Sequence, residues 1–388
     1  MSDTYQFTAK DERAFYALAR YAFHKPQSPT RDATFASLFA HSLGWGSGEP
    51  LSSGFLGTNF TVDLSGTAYK MSGVGYVASY PEATGKGGIT ALMHHAFTDM
   101  RAQGITLSYL APFSTTFYRR FGYENAFVQA THTLAASDLP KFPLPADVTV
   151  TRATLNEVID AISPVYLRNA AITHGGVRRE RWWWENMATH YPEREVAVAW
   201  LGDHATGYVI YQREDREFIV HEWFFDDLPA MQALGHFIVG HKTAFEKFTY
   251  LTGDPDLLYD LVPESRHLST TIAPYMMARI VDVADFLQRY PYQASDLAPV
   301  VMQINDDFIP ENTGLWQLQI DDGTTQLTKL TQGEPMVTLS EQELVKASFG
   351  VRSLRSAYTL GLVDGDPFTV ATLSDLFLQK PSQLYDYF

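Results

Sequence analysis

The sequence predicts an α/β (α+β) chain in which strand-then-helix units recur, followed by a third α+β segment. Three observations carry this. Tyr5, Gln6 and Phe7 alternate like a strand, Thr8-x-x-Asp11 has the capping-box pattern, and Phe15, Leu18, Ala19 and Ala22 follow at helical spacing. About 140 residues later the same grammar returns as Val148 to Val150, Thr154-x-x-Glu157, and the stripe Val158, Ile159, Ile162. GYVASY at 75–80 reads as a strand closed by Pro81, followed by the glycine-rich 85–88 and a helix. In that helix Ile89, Leu92, Met93, Ala96, Phe97 and Met100 keep a 3.6-residue period.

The chain has 388 residues, which allows two to four domains. Apolar residues make up 45% and charged residues 19%, an ordinary globular composition with ample core. Lys and Arg number 29 against 44 Asp and Glu, a net charge of −15. That sign repels phosphate backbones, so nucleic acid is not an expected partner, whereas cationic small molecules suit it. There is no cysteine, which removes disulfides, thiolate metal sites and cysteine nucleophiles and fits a cytoplasmic location. The opening MSDTYQFTAKDER lacks a basic start followed by an apolar stretch, so no signal peptide is expected. No apolar run approaches about 18 residues, so no membrane-spanning helix or membrane partner is expected.

SDLPKFPLP at 137–145 holds three prolines and reads as a linker. A third region begins near Asp285. Trp316 to Ile320 alternates as a strand, Asp322-Gly323 supplies a turn, and Ser340-x-x-Glu343 is another capping box. Residues 285–388 hold 14 acidic and 6 basic residues, so about half of the net charge lies there. Tyr385, Tyr387 and Phe388 make an aromatic tail that reads as packed, since frayed tails are small and polar. The expected domains are 1–145, 146–284 and 285–388.

A strand, a glycine turn and a helix start form an anion site, because glycines let backbone amides approach and the helix dipole adds positive charge. The spacing matches neither the P-loop nor the dinucleotide fingerprint. Downstream, a strand at 105–110 precedes APFS at 111–114 and then FYRRFGY at 117–123. Here the sequence resembles the GNAT superfamily of acetyl-coenzyme A-dependent N-acetyltransferases. Tyr118-x-x-Phe-Gly-Tyr-x-x-Ala126, the stretch MARIVD at 277–282 and the aromatic tail are similar to the enhanced intracellular survival (Eis) branch. The resemblance implies two tandem GNAT folds, each a mixed twisted sheet flanked by helices. It implies a sterol carrier protein-like C-terminal domain, acetyl-CoA as cosubstrate, an amine acceptor and a hexamer.

Carried over residue by residue, Val77, Ala78 and Ser79 match the strand that pairs with pantetheine. Thr84, Gly85, Lys86, Gly87 and Gly88 match the pyrophosphate loop. Thr84 stands where the family has Arg or Gln, and Ile89 where it has Gly or Ala, so the loop relies more on backbone amides and Lys86. The resemblance assigns the general acid to Tyr118 and the general base to the α-carboxylate of Phe388. A phenol with a reference pKa of about 10 stays protonated at neutral pH, and an α-carboxyl near 3.5 is ionised. Tyr76 is a candidate wall for the acceptor, and Asp282 and Asp386 are candidate carboxylates for its ammonium. Tyr387 stands where the family often has an acid, which weighs against an aminoglycoside.

In the second domain, 195–200 and 206–211 read as a hairpin and 217–225 as the next strand. Asp226-Asp227-Leu228-Pro229 then replaces a glycine loop. Two carboxylates at a helix start repel pyrophosphate, so this copy is expected to bind no coenzyme. RWWW at 181–184 reads as core or interface packing rather than as a binding platform. His221-Glu222 lacks the second histidine of a zincin, so no metal is expected. A different class of function is a lipid-binding or scaffold protein working through the third domain.

Overall fold

The computed structural model describes residues 4–169, 172–256 and 258–388. They form two compact units. One comprises the described residues of 4–127, 275–382 and 386–388, and the other those of 128–274 and 383–385. Among the described residues no helix is long and apolar enough to cross a membrane.

The first unit holds two sheets. Its larger sheet runs in the order Thr4–Gln6, Ser42–Ser47, Ser53–Leu64, Thr67–Ser79, Leu107–Leu110, Met277–Ile280, Glu124–Asn125. Neighbours are antiparallel except Thr67–Ser79 with Leu107–Leu110, which are parallel and joined through helix Gly88–Ala102. The predicted stripe of that helix is its buried face: Leu92, Met93, Ala96, Phe97 and Met100 pack with Trp45, Phe55 and Val74. Each fully buried large side chain stabilises by about 1.5–3 kcal/mol before the entropy of ordering it.

The second sheet of this unit is built from Thr324–Leu330, Gly314–Asp321, Leu297–Asn305, Val337–Ser340 and Asp364–Gly365, with helices Glu341–Ser348, Leu354–Thr359 and Pro367–Leu376. The expected strand at 316–320 is there, and Asp322 and Gly323, both at positive φ, turn it into its partner.

The other unit has one sheet, ordered Ser269–Pro274, Val128–Ala135, Lys247–Thr252, Glu217–Phe225, His204–Glu214, Glu195–Leu201, Val148–Thr154. The 195–211 hairpin forms as read, and helix Leu155–Arg168 carries the full capping box of Thr154 and Glu157. Trp183 and Trp184 are buried, as core.

Two details differ from the sequence reading. Helix Glu12–Ala22 starts after Asp11, later than the Thr8 box implies, although the Asp11 carboxylate accepts from the Thr8 amide at 2.7 Å as that box expects. The compact units also break at 127/128 and 274/275, whereas composition placed boundaries near 145 and 284. Strand Val128–Ala135 belongs to the second unit's sheet although it precedes the proline-rich stretch. Met277–Ile280 returns to the first. Pairing partners are set by long-range register, which a local shift in composition does not encode.

Candidate active site

Strand Thr67–Ser79 pairs with Ser53–Leu64, but its register shifts: Gly54 faces Ala78 and Leu56 faces Gly75. Tyr76 and Val77 therefore stand opposite Phe55 alone, which is a β-bulge. Tyr76 has φ 56°, a left-handed conformation that costs a non-glycine residue on the order of 1 kcal/mol. On the strand's other edge, parallel pairing stops at Val74 and Leu110. From Gly75 to Ser79 that edge is open among the described residues, and the two strands splay.

The chain then makes a short 3₁₀ turn at Pro81–Ala83 and enters the loop. Gly85 and Gly87 have φ of 78° and 79°, and a Cβ on either would meet nothing within 4 Å. Glycine is required there for backbone conformation, not for space. Gly87 is the N-cap of helix Gly88–Ala102 and supplies no side-chain acceptor. The first amides of a helix have no partner within it, so they are free to face an anion. Thr84 and Lys86 are exposed on the same loop. Below it, the Ser79 hydroxyl donates to Ser53 at 2.8 Å, and the Ser53 and Ser47 oxygens lie 3.3 and 3.5 Å from the Cβ position of Gly88. Open strand edge, positive-φ glycines and uncapped amides fit a pantetheine arm and its pyrophosphate.

Tyr118 lies on the short helix Thr115–Arg119, capped by Ser114, and is 3% exposed. Burial pushes its phenol well above the ordinary value, and the neighbouring Tyr123 and Tyr387 hydroxyls act in the same direction. It is therefore neutral across the physiological range and available as a proton donor.

Phe388 is seated on the splayed strand. A Cβ on Gly73 would fall 2.6–2.9 Å from three atoms of its ring, and Phe60 packs against that ring in a tilted arrangement at 5.2 Å. Its backbone carbonyl carbon and oxygen lie 3.1 and 3.2 Å from the Cβ position of Gly75. Gly73 and Gly75 share one face of the strand, and both are kept bare by this contact.

Tyr76 joins an aromatic wall with Phe35 at 5.3 Å and Phe23 at 6.0 Å. Asp386 is buried in the tail, and its carbonyl accepts from the Tyr275 hydroxyl at 3.1 Å. Asp282 is not brought to this place. It caps helix Val283–Arg289 through the Asp285 amide and pairs with Arg101 at 3.5 Å. It follows Ile280, which pairs with Leu107 at the end of the sheet opposite the splay. The sequence offered it as a free carboxylate; as Ser, Thr, Asp or Asn before an apolar stripe, it reads equally as an N-cap.

Sequence reasoning passed over Gly73, Gly75 and the bulge at Tyr76. The available signal was the Gly73-x-Gly75 pair inside an apolar strand, which marks a bulge or a close approach.

In the other unit the parallel pair Glu217–Phe225 and Lys247–Thr252 is registered only from 217/247 to 220/250. No glycine loop follows. Asp227 caps helix Leu228–Val239 through the Ala230 amide, and Asp226 pairs with Arg168 at 2.6 Å. Beside the strand ends sits the segment 383–385. The Tyr385 ring lies 4.9 Å from Phe224, its hydroxyl 3.0 Å from Thr252, and the Gln383 amide donates to His174.

Residues 4–126 and 175–280 each match an acetyltransferase (GNAT) domain family, and residues 283–385 match the sterol carrier protein domain. A crystal structure of a conserved protein from Enterococcus faecalis, described as a probable N-acyltransferase, superposes with a TM-score of 0.95 at 32% identity, covering 100% of both chains. The chain belongs to the GNAT family. It is an acetyltransferase with the Eis-like order of two GNAT domains and a sterol carrier domain. Eis1 from Mycobacterium abscessus shares this fold with a TM-score of 0.81 at 20% identity over the whole of both chains. An uncharacterised N-acetyltransferase of Streptomyces coelicolor is 28% identical over 327 residues, 77% of this chain and 76% of that one. GNAT acetyltransferases use acetyl-CoA and act on amines.

Proposed function

We propose that this GNAT enzyme transfers an acetyl group directly from acetyl-CoA to a cationic small amine, such as a polyamine, an aminoglycoside or a lysine or N-terminal amine. The observation that carries this reading is the seating of the Phe388 carboxyl group against Gly75, beside the open edge and one residue before the bulge. Val77, Ala78 and Ser79 would pair with the pantetheine arm, and Thr84 to Gly88 would hold the pyrophosphate. The bound thioester supplies the activated acetyl group. As the new C–N bond forms, the nitrogen becomes acidic, and the Phe388 carboxylate accepts its proton directly or through water. The Tyr118 hydroxyl donates a proton to the departing sulfur. Tyr76 and Asp386 are the residues we assign to the acceptor, one as an aromatic wall and one as a carboxylate. The absence of cysteine excludes a cysteinyl intermediate, which agrees with direct transfer.

Thiol release from acetyl-CoA should appear with at least one member of a panel of polyamines, aminoglycosides and amino-terminal peptides. Silence with every amine, together with tight binding of a lipid, would instead favour a lipid-carrying role.

The second GNAT-like domain, in this reading, binds no coenzyme. Its helix start is occupied by carboxylates, and residues 383–385 pack at its diverging strands. Calorimetric titration with coenzyme A should give one site per chain; a stoichiometry of two would refute this.

A further inference from the structure

Arg279 lies in the strand Met277–Ile280 and is completely buried. Its guanidinium fills the place where a side chain on Gly122 would begin: a Cβ there would fall on its Nη1. Gly122 has φ 84°, so this position of the Tyr118 motif is glycine for two separate reasons. Nη1 donates to the Phe121 carbonyl, and Nη2 donates to both Asp306 oxygens at 2.8 and 2.7 Å. The rings of Phe97 and Phe308 lie beside the guanidinium at 4.9 and 5.9 Å.

The turn that Arg279 grips is the one that leaves Tyr118. The Phe121 and Tyr123 amides donate to the Tyr118 carbonyl at 2.9 and 3.4 Å. The Gln342 side chain donates to the Arg119 carbonyl at 3.1 Å, and Glu124 is held by Arg119 at 2.8 Å and Lys346 at 3.4 Å. Asp306 is itself fixed by the Phe308 and Ile309 amides and by Asn312. The holding groups thus come from residue 279 and from 306–346, within the region that matches the sterol carrier domain.

We propose that Arg279 is a positioning residue for turnover: it fixes the turn after Tyr118 through the Phe121 carbonyl and ties that turn to Asp306 of the third domain. This assigns the sterol carrier-like domain a second part in catalysis by the first GNAT domain, besides the Phe388 carboxylate, and it rests on the assignment of Tyr118 as the acid. A buried ion pair replaced on both sides by neutral groups often leaves stability unchanged, whereas removing one partner does not.

The test is Arg279→Met combined with Asp306→Asn, which keeps an oxygen for the Phe308 and Ile309 amides. Arg279→Lys is the second variant, since one ammonium cannot occupy both positions of a guanidinium. Expected for both is kcat lowered by about 30-fold or more, with the KM for acetyl-CoA within about threefold, because binding does not use this turn. In a Tyr118→Phe background the same changes should lower kcat by less than about threefold, since residues acting as one unit are non-additive. Unchanged kcat in a folded Arg279 variant, or full additivity with a slow Tyr118→Phe, overturns the positioning proposal alone. Undiminished turnover by Tyr118→Phe itself overturns the acid assignment and this proposal with it.

Discussion

Adding one residue after Phe388 is expected to lower kcat by about 10²–10⁴-fold, the usual contribution of a general base, while leaving thermal unfolding unchanged. The extension replaces the carboxylate by an amide, which accepts no proton at neutral pH. The ring seat on Gly73 and Phe60 is untouched, so the fold has no reason to respond. Gly73→Ala approaches the same centre from the other side. Its methyl would overlap the Phe388 ring and displace the tail while the carboxylate stays intact. Both variants should bind coenzyme A as the unaltered enzyme does. Full turnover by the extended chain would remove Phe388 from the mechanism.

A second large effect concerns stability. Glu341 is 1% exposed; one oxygen accepts the Ile280 amide at 2.7 Å and the other has no hydrogen-bond partner. Burial raises its pKa to about 8; Arg279, 3.9 Å away, opposes the rise, and the Asp306 and Glu124 carboxylates add to it. In the unfolded chain a glutamate titrates near 4.3. Between these values the folded protein keeps a proton that the unfolded chain has lost. The stabilisation is therefore complete below the unfolded pKa and disappears as pH rises toward 8, in total on the order of 5 kcal/mol. Glu341→Gln keeps the acceptor for Ile280 and cannot ionise. Urea unfolding at several pH values should show it nearly equal to the unaltered protein at pH 4 and clearly more stable at pH 8. Parallel pH profiles would show that Glu341 does not carry the effect.

The two effects differ in how visible they are in sequence. The glycine loop, the helix behind it and the Tyr118 motif are local patterns. A strand, a positive-φ turn and a 3.6-residue stripe are each set by neighbours within a dozen residues, and they stand where they were read. Capping of Leu155–Arg168 by Thr154 and Glu157 is local in the same sense. Asp282 shows the limit of such reading. Its residue type suits both a surface charge awaiting an ammonium and a helix cap, and only its place beyond Ile280, with Arg101 beside it, selects the cap.

The sequence by itself determined the class of this protein: the strand–loop–helix that suits an acyl-CoA, the three-part order, and the residue types available for proton transfer. Tertiary structure decided which of them meet. Phe388 reaches Gly73 and Gly75 across more than 300 residues, and Arg279 reaches Gly122 and Asp306 across strands that pair out of sequence order. Contacts of that kind depend on register and close packing between distant segments. They leave in the sequence only bare glycines, whose reason is visible once the opposing side chain is in place.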